Sequence, residues 1–173
     1  MKRSAAALGS GVFFLLAPGI VAGVIPWWIT RWQMRGGWSG GTAGWIPLRV
    51  VGLALLVVSV PVLVRAFWQF AVEGLGTPAP VAPTKKLVVG GLYRYVRNPM
   101  YLAVLGAIVG QALLLAQPQL LLYAAVILIA FVSFVRWYEE PTLMRQFGAE
   151  YDAYRKAVPA WWPRRQPWTP KGR

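Results

Sequence analysis

The chain has 173 residues, one domain's worth by the usual prior, but 57% are hydrophobic, only 13% are charged and ten are Trp, a composition that suits lipid rather than water. Eighteen Lys+Arg against five Asp+Glu give +13, which alone would also suit a nucleic-acid binder, although the long uncharged runs argue against that partner. With no Cys and no His, disulfides, thiolate or imidazole metal sites, cysteine nucleophiles and His-dependent triads are excluded, and neither a metal nor a nucleic acid is expected.

The first element is an uncharged run from Ser4 to Thr30. At about 1.5 Å per residue it more than crosses a hydrocarbon core of about 30 Å, so a membrane helix is expected over residues 5–30. Lys2 and Arg3 in front of it also suit a signal peptide, but the run is too long for an h-region and lacks a clear A-x-A site. A second span is expected over residues 46–70, where Arg49 and Arg65 sit near the ends and can snorkel. A segment over 71–98 follows, irregular at first, with Gly74, Gly76, Pro78, Pro80 and Pro83 and then Lys85 and Lys86.

From Asn98 to Val135 no residue is charged, and Gln117-Pro118-Gln119 breaks the run. This predicts a helical hairpin with spans at 99–116 and 120–138, whose outer ends share one side. After Glu139 and Glu140, apolar residues recur at Met144, Phe147, Tyr151, Tyr154 and Val158, the stripe of an amphipathic helix. With Arg145, Arg155 and Lys156 beside it, that helix is expected to lie along anionic headgroups, and Trp161, Trp162, Arg164, Arg165 and Trp168 continue the interfacial character.

The distribution of Lys and Arg orients these elements. It predicts an all-α integral membrane protein forming a single membrane domain over 1–173, multi-pass in the inner (cytoplasmic) membrane. Four transmembrane helices run with both termini inside, and the interfacial helix and tail occupy 139–173. Arg31, Arg35 and Arg49 conflict with that orientation, softened by an aromatic belt of Trp27, Trp28, Trp32, Trp38 and Trp45.

Chemistry is concentrated at Gly91-Leu-Tyr-Arg-Tyr-Val-Arg-Asn-Pro-Met-Tyr101. Asn98 as N-cap and Pro99 at the first helical position start the third span. Its positive dipole end and the side chains of Arg94 and Arg97 make a place for an anion. The hairpin returns Arg136, Glu139 and Glu140 to the same side. Carboxylates at a membrane boundary need partners, and two readings stand: salt bridges with the arginines, or a ligand carrying both a carboxylate and an ammonium. Arg65, Gln69 and Glu73 share a face that reaches toward this end, more often a snorkelling stripe than a site. Gly90-Gly91 reads as a turn.

In order and spacing, Gly91 to Tyr101, Glu139-Glu140-Pro-Thr-Leu143, Phe147-Gly-Ala-Glu-Tyr151 and Tyr154 to Pro159 resemble the isoprenylcysteine carboxyl methyltransferase and phospholipid N-methyltransferase superfamily. The resemblance covers roughly residues 74–163 and implies an integral-membrane enzyme using S-adenosylmethionine without a Rossmann domain. It puts Arg97, Pro99 and Tyr101 on one wall of a cofactor pocket and Glu139 and Glu140 on the other. Asn98 stands where many members have His, so any proton relay through that position is lost.

The expected cofactor-binding residues are therefore Arg94, Arg97, Asn98, Pro99, Tyr101, Arg136, Glu139 and Glu140, and the expected catalytic residues are Glu139, Glu140 and Tyr101. Tyr93, Tyr95, Tyr101 and Trp137 are candidates to face a sulfonium. The partner is a lipophilic small molecule or lipid bearing an amine or carboxylate, with anionic lipids around it. Two other functions fit the same pattern: a membrane reductase using NADPH, and a non-enzymatic scaffold whose basic face binds anionic lipid.

Overall fold

The computed structural model describes residues 17–36, 42–73 and 87–169. The start of the first span, Trp38 and the Gly/Pro-rich segment with Lys85 and Lys86 lie outside the described residues. Helices α1 (Ala17–Thr30), α2 (Thr42–Glu73), α3 (Pro99–Leu115), α4 (Gln119–Phe134) and α5 (Glu140–Ala157) make up the fold, with a short 3-10 turn at Gly91–Arg94 and no strand among the described residues. Among the described residues, two helices are long and apolar enough to cross a membrane: α2 over Gly44–Gln69, and the composite helix Gln119–Ala157 that joins α4 to α5. In the composite helix the apolar stretch ends at Val135, and every charged residue lies beyond it.

Small residues set the separation of α2 and α3. A Cβ on Gly52 would meet the Leu114 nitrogen at 2.6 Å and the Gly110 oxygen at 2.7 Å, and one on Gly110 would meet the Gly52 oxygen at 2.8 Å. Gly106 lies against the Ser59 hydroxyl in the same seam. Close backbone approach through small residues is how apolar helices gain contact when lipid is no worse a solvent than a neighbouring side chain. The core beside the seam comprises Leu63, Phe67, Val104, Ile108, Ala112, Leu120 and Ala124.

Two prolines produce the same local device. Pro26 and Pro141 each lack an N–H and would push on the carbonyl four residues back. In both places the helix widens one turn earlier: π-turns occupy Ile20–Val24 and Val135–Glu139, and the N–H groups of Ile25 and Glu140 bond five residues back to Ile20 and Val135. In α1 this frees the Val21 and Ala22 carbonyls, and neighbouring helices supply the missing donors. The Tyr123 hydroxyl donates to Val21 at 2.9 Å, and Gln111 Nε2 donates to Ala22 at 2.7 Å. Gln111 Oε1 in turn accepts from the Trp32 indole at 3.1 Å.

The α3–α4 hairpin closes as the sequence predicts. Ala116 is left-handed at φ 54, and buried Gln117 donates to the Gln33 carbonyl at 2.7 Å. Other boundaries differ. The second helix runs from Thr42 to Glu73, so residues 71–73 are helical rather than loop. The fourth does not stop at 138, since the π-turn carries helical winding into α5. Trp27, Trp28 and Trp32 are exposed as a belt requires, whereas Trp45 is buried and donates its indole N–H to the Leu113 carbonyl at 2.8 Å.

The largest revision concerns the stripe on α5. Tyr151, Tyr154 and Val158 are 2%, 3% and 1% exposed and pack with Leu87, Val89, Met144, Phe147 and Trp168, so these three meet protein, while Met144 and Phe147 of the stripe stay partly exposed. The physical cause is Gly148, at φ 51 and ψ −123, which kinks α5 in a conformation that essentially only glycine adopts.

Candidate active site

Residues 91–98 form no extended regular structure, so their backbone groups must find partners elsewhere. Gly91 takes φ 47 under the side chain of buried Gln69, which lies where a Cβ would stand. The C-terminal segment then folds back as a strap. Arg97 N–H bonds the Pro159 carbonyl at 2.9 Å, Arg164 N–H the Tyr95 carbonyl at 2.9 Å, and Trp168 N–H the Arg94 carbonyl at 3.0 Å. From α5, the Tyr154 hydroxyl donates to the Tyr93 carbonyl at 2.7 Å. The strap and the kinked helix together fix the start of α3.

Arg97 is the hub. Its Nε donates to the Val158 carbonyl at 2.9 Å, and its Nη1 donates to Glu140 Oε1 at 2.6 Å and to the Tyr151 hydroxyl at 3.1 Å. A guanidinium fork is suited to this, because its donors are fixed in one plane. Glu140 also faces Arg155 at 3.5 Å, so it sits as an anion between two cations. The neighbouring acid is held differently: the Tyr101 hydroxyl donates to Glu139 Oε2 at 2.9 Å. Tyr101 packs on Phe131, with ring centroids 4.6 Å apart, and faces Trp161 of the strap at 6.4 Å. Among the described residues, Arg97 Nη2 and Glu139 Oε1 take part in no hydrogen bond.

Beyond the apolar stretch, burial pushes the Tyr154 hydroxyl above the ordinary tyrosine range, with the Arg97 charge pulling the other way. Tyr151 is raised for the same reason, again against Arg97. Both therefore stay protonated at neutral pH, so the Tyr151 hydroxyl keeps a hydrogen to donate while it accepts from Arg97.

The expected residues divide into two groups. Arg97, Tyr101, Glu139 and Glu140 come together at one end of the bundle, and Pro99 starts α3 as its first residue. Asn98 occupies the N-cap position but makes no capping bond: its amide donates instead to the Ala160 carbonyl at 3.2 Å, which ties the strap down. Arg94 is drawn away, its Nε donating to the Trp168 carbonyl at 2.7 Å. Arg136 and Trp137 point outward on the π-turn, and Tyr93 is buried with Ala66 of α2 and Val88. Of the four aromatic candidates, Tyr101 hydrogen-bonds a carboxylate of the pair. Tyr151, Arg155 and Trp161 are members that residue patterns missed, because only the Gly148 kink and the strap bring them near. No group of acidic residues able to hold a metal occurs among the described residues.

An arginine just ahead of one helix thus faces the acidic end of the returning helix, at one end of an apolar bundle. The chain belongs to the phospholipid methyltransferase family, whose sequence model matches residues 48–150, more than half of its length. The matched stretch takes in Arg97, Tyr101, Glu139 and Glu140 and ends before Tyr151, Arg155 and the strap. No curated protein and no solved structure gives a match.

Proposed function

We propose that the protein transfers a methyl group from S-adenosylmethionine to a lipophilic acceptor, a lipid or small amphiphile bearing an amine or carboxylate, at the cytoplasmic face of a four-span bundle with both termini inside. The observation that carries this reading is the hub itself, with Arg97 bonded to Glu140 and Tyr101 to Glu139 beside an aromatic wall.

The donor set fits a zwitterion. Arg97 Nη2 is uncommitted and cationic, suited to the methionyl carboxylate. Glu139 Oε1 is uncommitted, an acceptor suited to an ammonium or a ribose hydroxyl. When bound, the cofactor supplies an activated methyl on a sulfonium, whose charge the faces of Tyr101, Phe131 and Trp161 would attract by about 0.5–2 kcal/mol. Arg94, Asn98 and Pro99 act by shaping the start of α3 rather than by contact. Arg136, on the outward face, is left to headgroups.

Methyl transfer is an in-line displacement, so the protein's task is alignment and exclusion of water, with no covalent enzyme intermediate. The two carboxylates divide the remaining work. Glu140, clamped by Arg97 and Arg155, holds Arg97 in place and has both oxygens engaged. Glu139 has a free oxygen and a neutral phenol on the other, so it is the group to accept a proton from an ammonium acceptor. A carboxylate acceptor needs no such step.

Incubating the purified protein with methyl-labelled S-adenosylmethionine and a total lipid extract tests the reading. Label in an organic-phase product, lost in Arg97→Ala and Glu139→Gln, is the expected result. Absence of any labelled product across amine and carboxylate lipids, with cofactor binding also absent, overturns it.

A further inference from the structure

At the end of the bundle opposite Arg97, Arg31, Arg35 and Arg49 form no ion pair among the described residues. All five acidic residues, Glu73, Glu139, Glu140, Glu150 and Asp152, fall at or after position 73. Glu73 closes α2, which at about 1.5 Å per residue is roughly 36 Å along the helix from Arg49. Arg35 and Arg49 stand together at the far end, and Arg31 caps α1 at that same end: Arg35 N–H bonds the Leu115 carbonyl at 3.0 Å, and Arg49 Nη2 bonds the Arg35 carbonyl at 2.6 Å. Helix dipoles do not offset them, because α1 and α3 end here while α2 and α4 begin here, so the partial charges cancel in pairs.

Two further observations say what kind of anion this end meets. Arg31 lies over the Trp27 ring at 4.4 Å, and Trp28, Trp32 and Met34 beside it are exposed, which is the surface of a membrane boundary rather than of a soluble-ligand cleft. Below Arg49, at helical spacings of 4, 8, 11 and 15, come Leu53, Val57, Val60 and Val64, all at least half exposed. An arginine cluster above a continuous apolar stripe has the form of one phospholipid molecule, head above tail. Arg49 is held in place for this by the Arg35 carbonyl, so little ordering is left for a ligand to impose.

We propose that this end binds an anionic phospholipid, with its phosphodiester on Arg31, Arg35 and Arg49 and an acyl chain along Leu53, Val57, Val60 and Val64. The site is separate from the Arg97 hub and does not depend on methyl transfer. It rests on the membrane reading of the preceding section only in taking lipid as the solvent of α2.

The test uses the full chain in nanodiscs containing phosphatidylglycerol or phosphatidylcholine, each with a photoreactive acyl chain, and maps the labelled peptides by mass spectrometry. Phosphatidylglycerol should label α2 between residues 46 and 64 in preference to phosphatidylcholine. Arg35→Gln and Arg31→Gln should each lower that labelling about fivefold, the effect of one charge near an anionic surface. Arg165→Gln, at the other end, should leave it unchanged. Arg35→Gln removes no side-chain contact among the described residues, so it keeps the test valid if Arg49→Gln fails to fold. Equal labelling by the two lipids, retention in Arg35→Gln, or complete competition by soluble glycerophosphate each overturns the proposal. Failure of the methyl-transfer assay alone does not touch it.

Discussion

The Arg97–Glu140 pair makes the sharpest energetic prediction. Its side chains are 12% and 19% exposed, between a surface pair, worth about 0–1 kcal/mol, and a fully buried one, whose breakage costs about 3–5 kcal/mol. Arg97→Ala deletes three side-chain bonds, to Val158, Tyr151 and Glu140, but leaves Glu140 with Arg155 at 3.5 Å. The expected loss is therefore about 3 kcal/mol, the lower edge of the buried range. Glu140→Gln keeps an oxygen for Arg97 and leaves the other two bonds intact, so about 1.5 kcal/mol is expected, one charged hydrogen bond reduced to a neutral acceptor. The double variant should recover about 1–2 kcal/mol relative to the sum, because the pair is lost only once. Unfolding of the purified protein by sodium dodecyl sulfate in mixed micelles, followed by tryptophan fluorescence, measures all four corners. A coupling below about 0.3 kcal/mol, within the scatter of independent sites, refutes the view of Arg97 as the hub.

Gly148→Ala should destabilise by about 1–3 kcal/mol and expose the strap to protease, since φ 51 and ψ −123 strain any side chain. Gly23→Ala, where a Cβ meets nothing within 4 Å, should instead stabilise by up to about 1 kcal/mol in the same unfolding assay. Gln111→Leu strands the Ala22 carbonyl and the Trp32 indole and should cost about 2–3 kcal/mol, against about 1 kcal/mol for Tyr123→Phe, which strands the Val21 carbonyl alone. Tyr154 has a folded pKa raised above its unfolded value of about 10, so its contribution to stability is complete below that pH and lost as pH rises beyond it. Tyr154→Phe should flatten that alkaline fall in a pH series of unfolding midpoints.

Patterns confined to one element were legible. Charge gaps gave the apolar helices, Gln117-Pro118-Gln119 gave the hairpin turn, and helical return alone brought Glu139 and Glu140 toward Arg97. What could not be read was anything requiring the chain to reverse outside a helix. The spacing of Tyr151, Tyr154 and Val158 fits a lipid-facing stripe and a protein-facing one equally well, and the choice between them rests on a single backbone conformation at Gly148. Asn98 illustrates the same limit: its residue type predicts a cap, but the strap offers its amide a carbonyl at Ala160, and the tertiary bond replaces the local one. Arg155 lies 15 residues beyond Glu140, and no local rule pairs them.

The widened turn at Val135–Glu139 governs how the two acids are presented. Successive residues on an undistorted α-helix project about 100° apart, so adjacent glutamates would ordinarily address different neighbours. The extra residue in this turn advances the register just where the acids sit, and Tyr101 in the first turn of α3 and Arg97 just ahead of that helix each receive one of them. The count of residues between Phe131 and Glu140 is thus a fixed dimension of the molecule. Side chains along that stretch can be exchanged, but shortening it by one would rotate the acids away from their partners while leaving every motif in the sequence intact.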